Sequence, residues 1–209
     1  LNLFNTKESS VFKNFPYHRG IDNIILNVFN NYYKDIKADH ILDKAPWGTP
    51  YHLEILKSIF KERRFVILVR PVLECLASFI KARRDNKDIE LFCDSLMDPD
   101  HGILGKNIWA INHLIKNKEK HIIITYDDFV THPQKELNRI FRFLKLKPEK
   151  LDLNNLKQYT FEGMGYDDTH VEGPFHSIDV DKVKKVNYKV EDYLPKTIID
   201  RYKNARLIL

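Results

Sequence analysis

Two short apolar runs constrain the fold more than anything else in the chain. "FVILVR", Phe65 to Arg70, and "HIIITY", His121 to Tyr126, are too short for helices, and their apolar residues are successive rather than alternating. That pattern predicts strands buried on both faces, which is the signature of a parallel sheet. A third run, "HILDK" at 40–44, is expected to give a brief strand ending at Asp43.

The segments between these runs carry helical periodicity. "IDNIILNVFNNYYKDI" puts Ile21, Ile24, Ile25, Val28, Phe29 and Tyr32 on one helical face. Thr49-Pro50 after the loop "APWGTP" reads as a cap followed by proline in the first turn, opening the helix "YHLEILKSIFKE". A helix from Val72 to about Arg84 presents Leu73, Leu76, Ala77 and Ile80. "IELFCDSLM" gives a short helix and "KNIWAINHLIKN" a longer one. Another opens near Pro133, with Leu137, Ile140, Phe141 and Leu144 inward, and "YLPKTIIDRYKNA" is the last. Residues 147–188 read as long loops. Short apolar strands alternating with helices predict one α/β domain over residues 1–209, three-layered with a mostly parallel central sheet.

At 209 residues, 43% hydrophobic, the chain can fill one good-sized core. Lys and Arg outnumber Asp and Glu by 34 to 29, and the resulting charge of +5 favours an anionic partner. Cys75 and Cys93 fit neither a metal-ligand nor a redox spacing, and two thiols build no disulfide scaffold, so a reducing, cytoplasmic compartment is expected. No apolar run approaches the roughly 20 residues of a membrane helix.

In parallel α/β sheets ligands bind at the carboxyl ends of the strands. Asp43, Arg70 and Tyr126 occupy those ends and are candidates for one site. Arg70 offers a forked donor to a phosphate, and Ser78, eight residues on, adds a hydroxyl from the next helix. The alternative is structural: Arg70 pairs with Glu74, and Ser78 fits a tight helix contact.

"FVILVRPVLECLASF" resembles the 3′-phosphate-binding segment of sulfotransferases that use 3′-phosphoadenosine-5′-phosphosulfate (PAPS). "DKAPWGTP" resembles the family's Lys-Thr-Pro-like loop. "IIITYDDFVTHPQKELNRIFRFLKL" is similar to its later strand, Tyr-Glu-Asp-Leu turn, proline and helix ending in Phe-Leu. The resemblance spans about residues 40–146. It implies a P-loop NTPase-like sulfotransferase fold, PAPS as co-substrate, 3′-phosphoadenosine-5′-phosphate (PAP) as product, and no metal. It also implies a small-molecule or glycan acceptor bearing a hydroxyl or amine, with neither nucleic acid nor a membrane segment involved.

By the same resemblance Arg70 and Ser78 bind the 3′-phosphate, Tyr126 lies near the adenine end, and Lys44 stands beside the transferred sulfuryl group. For Tyr126 the alternative is a tyrosine capping the core, and for Lys44 an ordinary surface lysine. Cytosolic members place a catalytic histidine just after the motif lysine, where this chain has Ala45 and Pro46. Members acting on glycosaminoglycans use a glutamate preceding that segment. Asp43 is therefore the first candidate base, with His18 and Glu8 behind it. Near the carboxyl terminus, "FHSIDVDKVKKV" offers His176, Ser177, Lys182, Lys184 and Lys185 to a basic loop of the kind that closes over the 3′-phosphate in relatives; the alternative is a solvated charge run. Trp47, in the motif loop, is a packing residue or part of an acceptor pocket.

The family's Gly-Ser/Thr-Thr phosphosulfate loop has no counterpart in the sequence. "GILGKN", Gly102 to Asn107, lacks the spacing and follows a loop rather than a strand. The chain begins in mid-element, so truncation at the amino terminus is the expected reason. The second reading is a non-catalytic nucleotide- or polyanion-binding module of the same fold. A P-loop kinase is disfavoured, with neither a Walker lysine nor a magnesium-binding acid after a strand.

Overall fold

The structure is a computed structural model that describes residues 18–35, 40–82, 88–157, 163 and 182–205, with the side chains of 18–22 left aside. Its elements are α1 (His18–Tyr32), α2 (Pro50–Ile59), β1 (Phe65–Val69), α3 (Val72–Ala82), α4 (Ile89–Met97), α5 (Ile103–Lys116), β2 (His121–Thr125), α6 (Tyr126–Thr131), α7 (Pro133–Leu144), a 3-10 turn (Val190–Asp192) and α8 (Lys196–Tyr202).

β1 and β2 pair in parallel, in register from Phe65 with His121 to Val69 with Thr125. Strand side chains alternate between faces, so Ile67 and Ile123 share one face and Leu68 and Ile124 the other. Ile67 is buried on the first and Ile124 on the second, so core lies on both sides of the sheet. This is the α/β architecture expected from the two apolar runs. Three helices, α3 to α5, make the crossover between the strands.

The expected strand at 40–43 is absent. His40, Ile41, Leu42 and Asp43 are exposed and unpaired with either strand, Leu42 by 84%. Two apolar residues in succession favour a strand, but a strand needs a laddered neighbour, and the described sheet has two members only. Asp43 and Lys44 therefore lie in a loop and not at a strand end.

Helix α1 is turned relative to expectation. Ile24, Val28 and Tyr32 face solvent, Tyr32 by 77%, while Ile25, Leu26, Phe29 and Tyr33 are the half-buried side. The rings of Phe29 and Phe60 meet edge-to-face at 5.7 Å, which ties α1 to the end of α2. The main core joins Val72, Leu76, Ala77 and Ile80 of α3 to Cys93 and Leu96 of α4 and to Leu194 and Ile198 beside and within α8. A polar clip fastens α8 to α4: Arg201 pairs with Asp94 and Glu90, the Tyr202 hydroxyl donates to Asp94 at 2.6 Å, and Thr197 donates to Glu90 at 2.7 Å. The extended segment 182–189 leads into this anchored helix and crosses the carboxyl ends of the strands on the way. No helix among the described residues is long and apolar enough to cross a membrane.

Candidate functional site

Both strands end on chemistry. After Val69 the chain passes through Arg70 and Pro71 into α3. A residue before proline is held out of the helical region, so Arg70 stays extended while Pro71 gives its carbonyl to the Cys75 amide at 3.1 Å. Glu74 falls in the first turn of α3, where a carboxylate is favoured by the helix dipole and faces Arg70 four residues back. β2 is ended by its own cap. The Thr125 hydroxyl accepts from the Asp128 amide at 3.1 Å and donates to the Asp128 carboxylate at 2.7 Å, a relative of the capping box. Tyr126 was expected as the last strand residue; this cap makes it the first residue of α6, still at the strand's exit.

The two exits meet. The Arg70 guanidinium carbon lies 4.0 Å from the centre of the Tyr126 ring and 5.0 Å from that of Tyr188. The fork is held at its edge: Nε donates to Glu74 at 3.1 Å, Nη2 lies in ion-pair contact with the same carboxylate oxygen at 3.1 Å, and Nη2 donates to the Val186 carbonyl at 2.9 Å. No acceptor for Nη1 is found among the described residues. Ser78, two turns along α3, accepts a hydrogen bond from the Tyr188 hydroxyl at 3.2 Å. Val186 spends both backbone groups here, since its amide donates to the Tyr126 hydroxyl oxygen at 3.0 Å.

Arg70 and Ser78 from one sequence segment and Tyr126 from another thus belong to one cluster. Glu74 belongs to it as well, so the ion pair foreseen as the structural alternative is present. Two residues the sequence did not single out, Val186 and Tyr188, complete it. Lys81 adds a second cation, 5.6 Å from the centre of the Tyr188 ring.

Of the basic carboxyl-terminal segment the structure describes Lys182, Lys184 and Lys185. Lys185 bonds Asp127 at 2.8 Å, a hydrogen bond that raises the lysine's pKa. Lys182 and Lys184 are exposed, with no ion pair to the cluster. His176, Ser177 and Glu8 lie outside the described residues, as does the His18 side chain at the start of α1. Cys75 is the remaining neighbour. Burial pushes its thiol pKa up, and its Sγ–H points toward the Arg70 carbonyl at 3.9 Å.

The motif loop is a separate unit. Thr49 is buried and caps α2 by backbone position alone; its hydroxyl instead meets His52 Nδ1 at 2.8 Å, and that nitrogen also reaches the Pro46 carbonyl at 3.2 Å. Trp47 packs edge-on against His52 at 5.5 Å. Gly48 presses on α5: a Cβ there would collide with the Ala110 carbonyl, and the Gly48 carbonyl accepts from His113 Nδ1 at 2.9 Å. Asp43 and Lys44 project from this unit into solvent. Partial burial, and secondarily the Asp43 carboxylate, raise the pKa of Tyr33. No bond joins Asp43 or Lys44 to the Arg70 cluster, so the structure gathers the anion-binding candidates without the catalytic ones.

No curated protein and no solved structure matches the chain. The family model described as "Sulfotransferase family" matches residues 13–150, about two thirds of the chain, and takes in the motif loop, both strands, Arg70, Ser78 and Tyr126. The chain belongs to the sulfotransferase family of transferases.

Proposed function

We propose that this chain transfers a sulfuryl group from PAPS to a hydroxyl or amine of a small-molecule or glycan acceptor, and that the cluster at the strand ends holds the nucleotide's 3′-phosphate. The observation that carries this reading is the convergence of Arg70, Ser78 and Tyr126 at one end of the parallel sheet, with Arg70 stacked 4.0 Å from the Tyr126 ring. The residues fit a phosphate. Arg70 Nη1 meets no acceptor among the described residues, Ser78 supplies a hydroxyl, and the flanking rings give a nucleobase a surface to lie against. Sulfuryl transfer places the rest of the work on positioning and charge. Lys44 stabilises negative charge developing on the bridging oxygen, and Asp43 accepts the acceptor's proton.

Calorimetric titration with PAP and with adenosine 5′-monophosphate tests the nucleotide role. Wild type should prefer PAP, and Arg70→Ala should lose roughly ten- to hundredfold in PAP affinity, the value of one charge-assisted hydrogen bond (about 1.5–3 kcal/mol). Equal binding of the two nucleotides by wild type removes the role given to Arg70.

A non-catalytic nucleotide-binding module is the second reading. What favours it is the separation of Asp43 and Lys44 from the cluster, together with the lack of a Gly-rich cradle for the 5′-phosphosulfate among the described residues. Transfer from labelled PAPS to any acceptor would eliminate it.

A further inference from the structure

Tyr188 sits where three features of the site cross, and no sequence motif marks it. Its ring covers the Arg70 guanidinium at 5.0 Å, on a cation that Tyr126 also covers at 4.0 Å. Its hydroxyl donates to Ser78 at 3.2 Å. Its own ring is braced edge-on by Tyr193 at 5.6 Å, just ahead of the anchored helix α8.

The hydrogen bond to Ser78 fixes more than a distance. A serine inside a helix ordinarily turns its hydrogen back onto a carbonyl one turn earlier. Ser58 does so onto the Ile55 carbonyl at 2.9 Å, and Ser95 onto the Phe92 carbonyl at 2.7 Å. Ser78 makes no such bond among the described residues; its oxygen is the acceptor for Tyr188. The Ser78 hydrogen itself has no acceptor among the described residues and is available to an anion, and donation received from the phenol strengthens donation given. The Tyr188 ring meanwhile holds the guanidinium plane from one side, while Glu74 and the Val186 carbonyl hold its edge.

We propose that Tyr188 is a positioning residue for the anion: it orients both donors, the Ser78 hydroxyl through its own hydroxyl and the Arg70 fork through its ring. This rests on the reading of the cluster as the 3′-phosphate site and adds to it the residue that makes the two donors act together. The ring and the hydroxyl do different things, so they separate in an experiment. Tyr188→Phe keeps the ring and frees Ser78 to turn back onto its own helix. Tyr188→Leu removes both functions.

The test is calorimetric titration of wild type, Tyr188→Phe, Tyr188→Leu, Ser78→Ala and the Ser78→Ala/Tyr188→Phe double variant. The probes are PAP and adenosine 5′-monophosphate, and thermal melts confirm that each variant is folded. Tyr188→Phe should weaken PAP roughly three- to tenfold and leave the monophosphate unchanged, so that discrimination between them falls. Tyr188→Leu should lose more. In the Ser78→Ala background Tyr188→Phe should cost nothing further, because the two share one interaction. Equal losses for both nucleotides, or additive losses in the double variant, would show that Tyr188 is only a packing residue. An unchanged ratio in Tyr188→Phe would overturn the proposal outright. A wild type that binds the two nucleotides alike defeats the underlying reading instead, before any variant is considered.

Discussion

The Arg70 guanidinium carbon lies 4.0 Å from the centre of the Tyr126 ring, joining the ends of two strands whose sequences are 56 residues apart. The contact depends on a planar cation, and lysine has none. Arg70→Lys keeps the charge and loses the fork. It should weaken PAP binding by about tenfold. It should also release the Val186 carbonyl, which hydrogen–deuterium exchange would report as faster exchange of the Val186 amide. Unchanged affinity would mean that a point charge suffices.

Glu74 carries the opposite expectation. Its carboxylate holds Arg70 in place but would set a negative charge beside the proposed 3′-phosphate. Glu74→Gln preserves an acceptor for Arg70 and removes the repulsion, worth on the order of 1 kcal/mol for charges several ångströms apart in a partly hydrated site. PAP should bind about fivefold tighter, with the gain shrinking as salt is raised. A loss of affinity would show that the charge of Glu74 is needed to hold the fork.

Gly48 is expected to be intolerant. Gly48→Ala pushes a methyl into the Ala110 carbonyl, backbone against backbone, where no side chain can swing aside. Overpacking of this kind costs about 1–3 kcal/mol. For a chain of this size that corresponds to a melting temperature lower by roughly 3–10 °C, measured by calorimetry or circular dichroism. No change in melting would mean that the motif loop is not seated on α5.

The clip between α8 and α4 sets an alkaline limit. Burial first, then the hydrogen bond to Asp94, push the Tyr202 phenol up to about 12 from an ordinary value of 10.0. A phenol that holds its proton more tightly when folded stabilises the protein fully below pH 10. That stability is lost as pH rises from there through about 12. Asp94 runs the other way. The hydrogen bond from Tyr202 leads the effects that lower its pKa, so its contribution is present at neutral pH and fades below the ordinary carboxylate range. Tyr202→Phe should therefore flatten the alkaline limb of urea-unfolding stability and lower stability at neutral pH. Parallel wild-type and variant profiles above pH 10 would sink this assignment.

Catalysis has its own test. Lys44→Ala should lower kcat far more than nucleotide affinity. Asp43→Asn should do the same and remove the acid limb of the rate profile. Should Asp43→Asn keep its rate and its acid limb, the base lies elsewhere, with His18 and Glu8 next in order.

The sequence was most legible where short-range rules act. A buried strand must end, and the residue before proline must stay extended. Arg70 and Tyr126 could be found on those grounds as strand ends, while for Ser78 it is the family resemblance that favours a site role over a plain helix contact. Tyr188 could not: it lies 110 residues from Ser78, in a stretch without periodicity, and its role comes from where α8 anchors the chain. The error at 40–43 has the reverse cause. Ile41 and Leu42 carry strand-like chemistry, but no described neighbour ladders with them, and local preference alone does not make a sheet. The turned face of α1 is similar. Its apolar stripe is wide enough for two orientations, and the ring contact of Phe29 with Phe60 decides between them.

The seating of the motif loop has a consequence for Lys44. Close downstream of the lysine Pro46 is held, its carbonyl accepting from the Thr49 amide at 3.2 Å and meeting His52 Nδ1, so one residue, Ala45, stands between. The exposed ammonium group is thus a charge on a short tether, and no ion pair among the described residues selects a point for it. Holding each backbone residue of that tether in one conformation costs about 1–2 kcal/mol, and only contacts made by donor and acceptor together can offset it. On the role proposed for Lys44, a poorly fitting acceptor would leave the lysine unplaced and the sulfuryl group untransferred, even with the nucleotide fully bound. Selectivity for the acceptor would be exercised through the rate, by whether the tether is drawn taut.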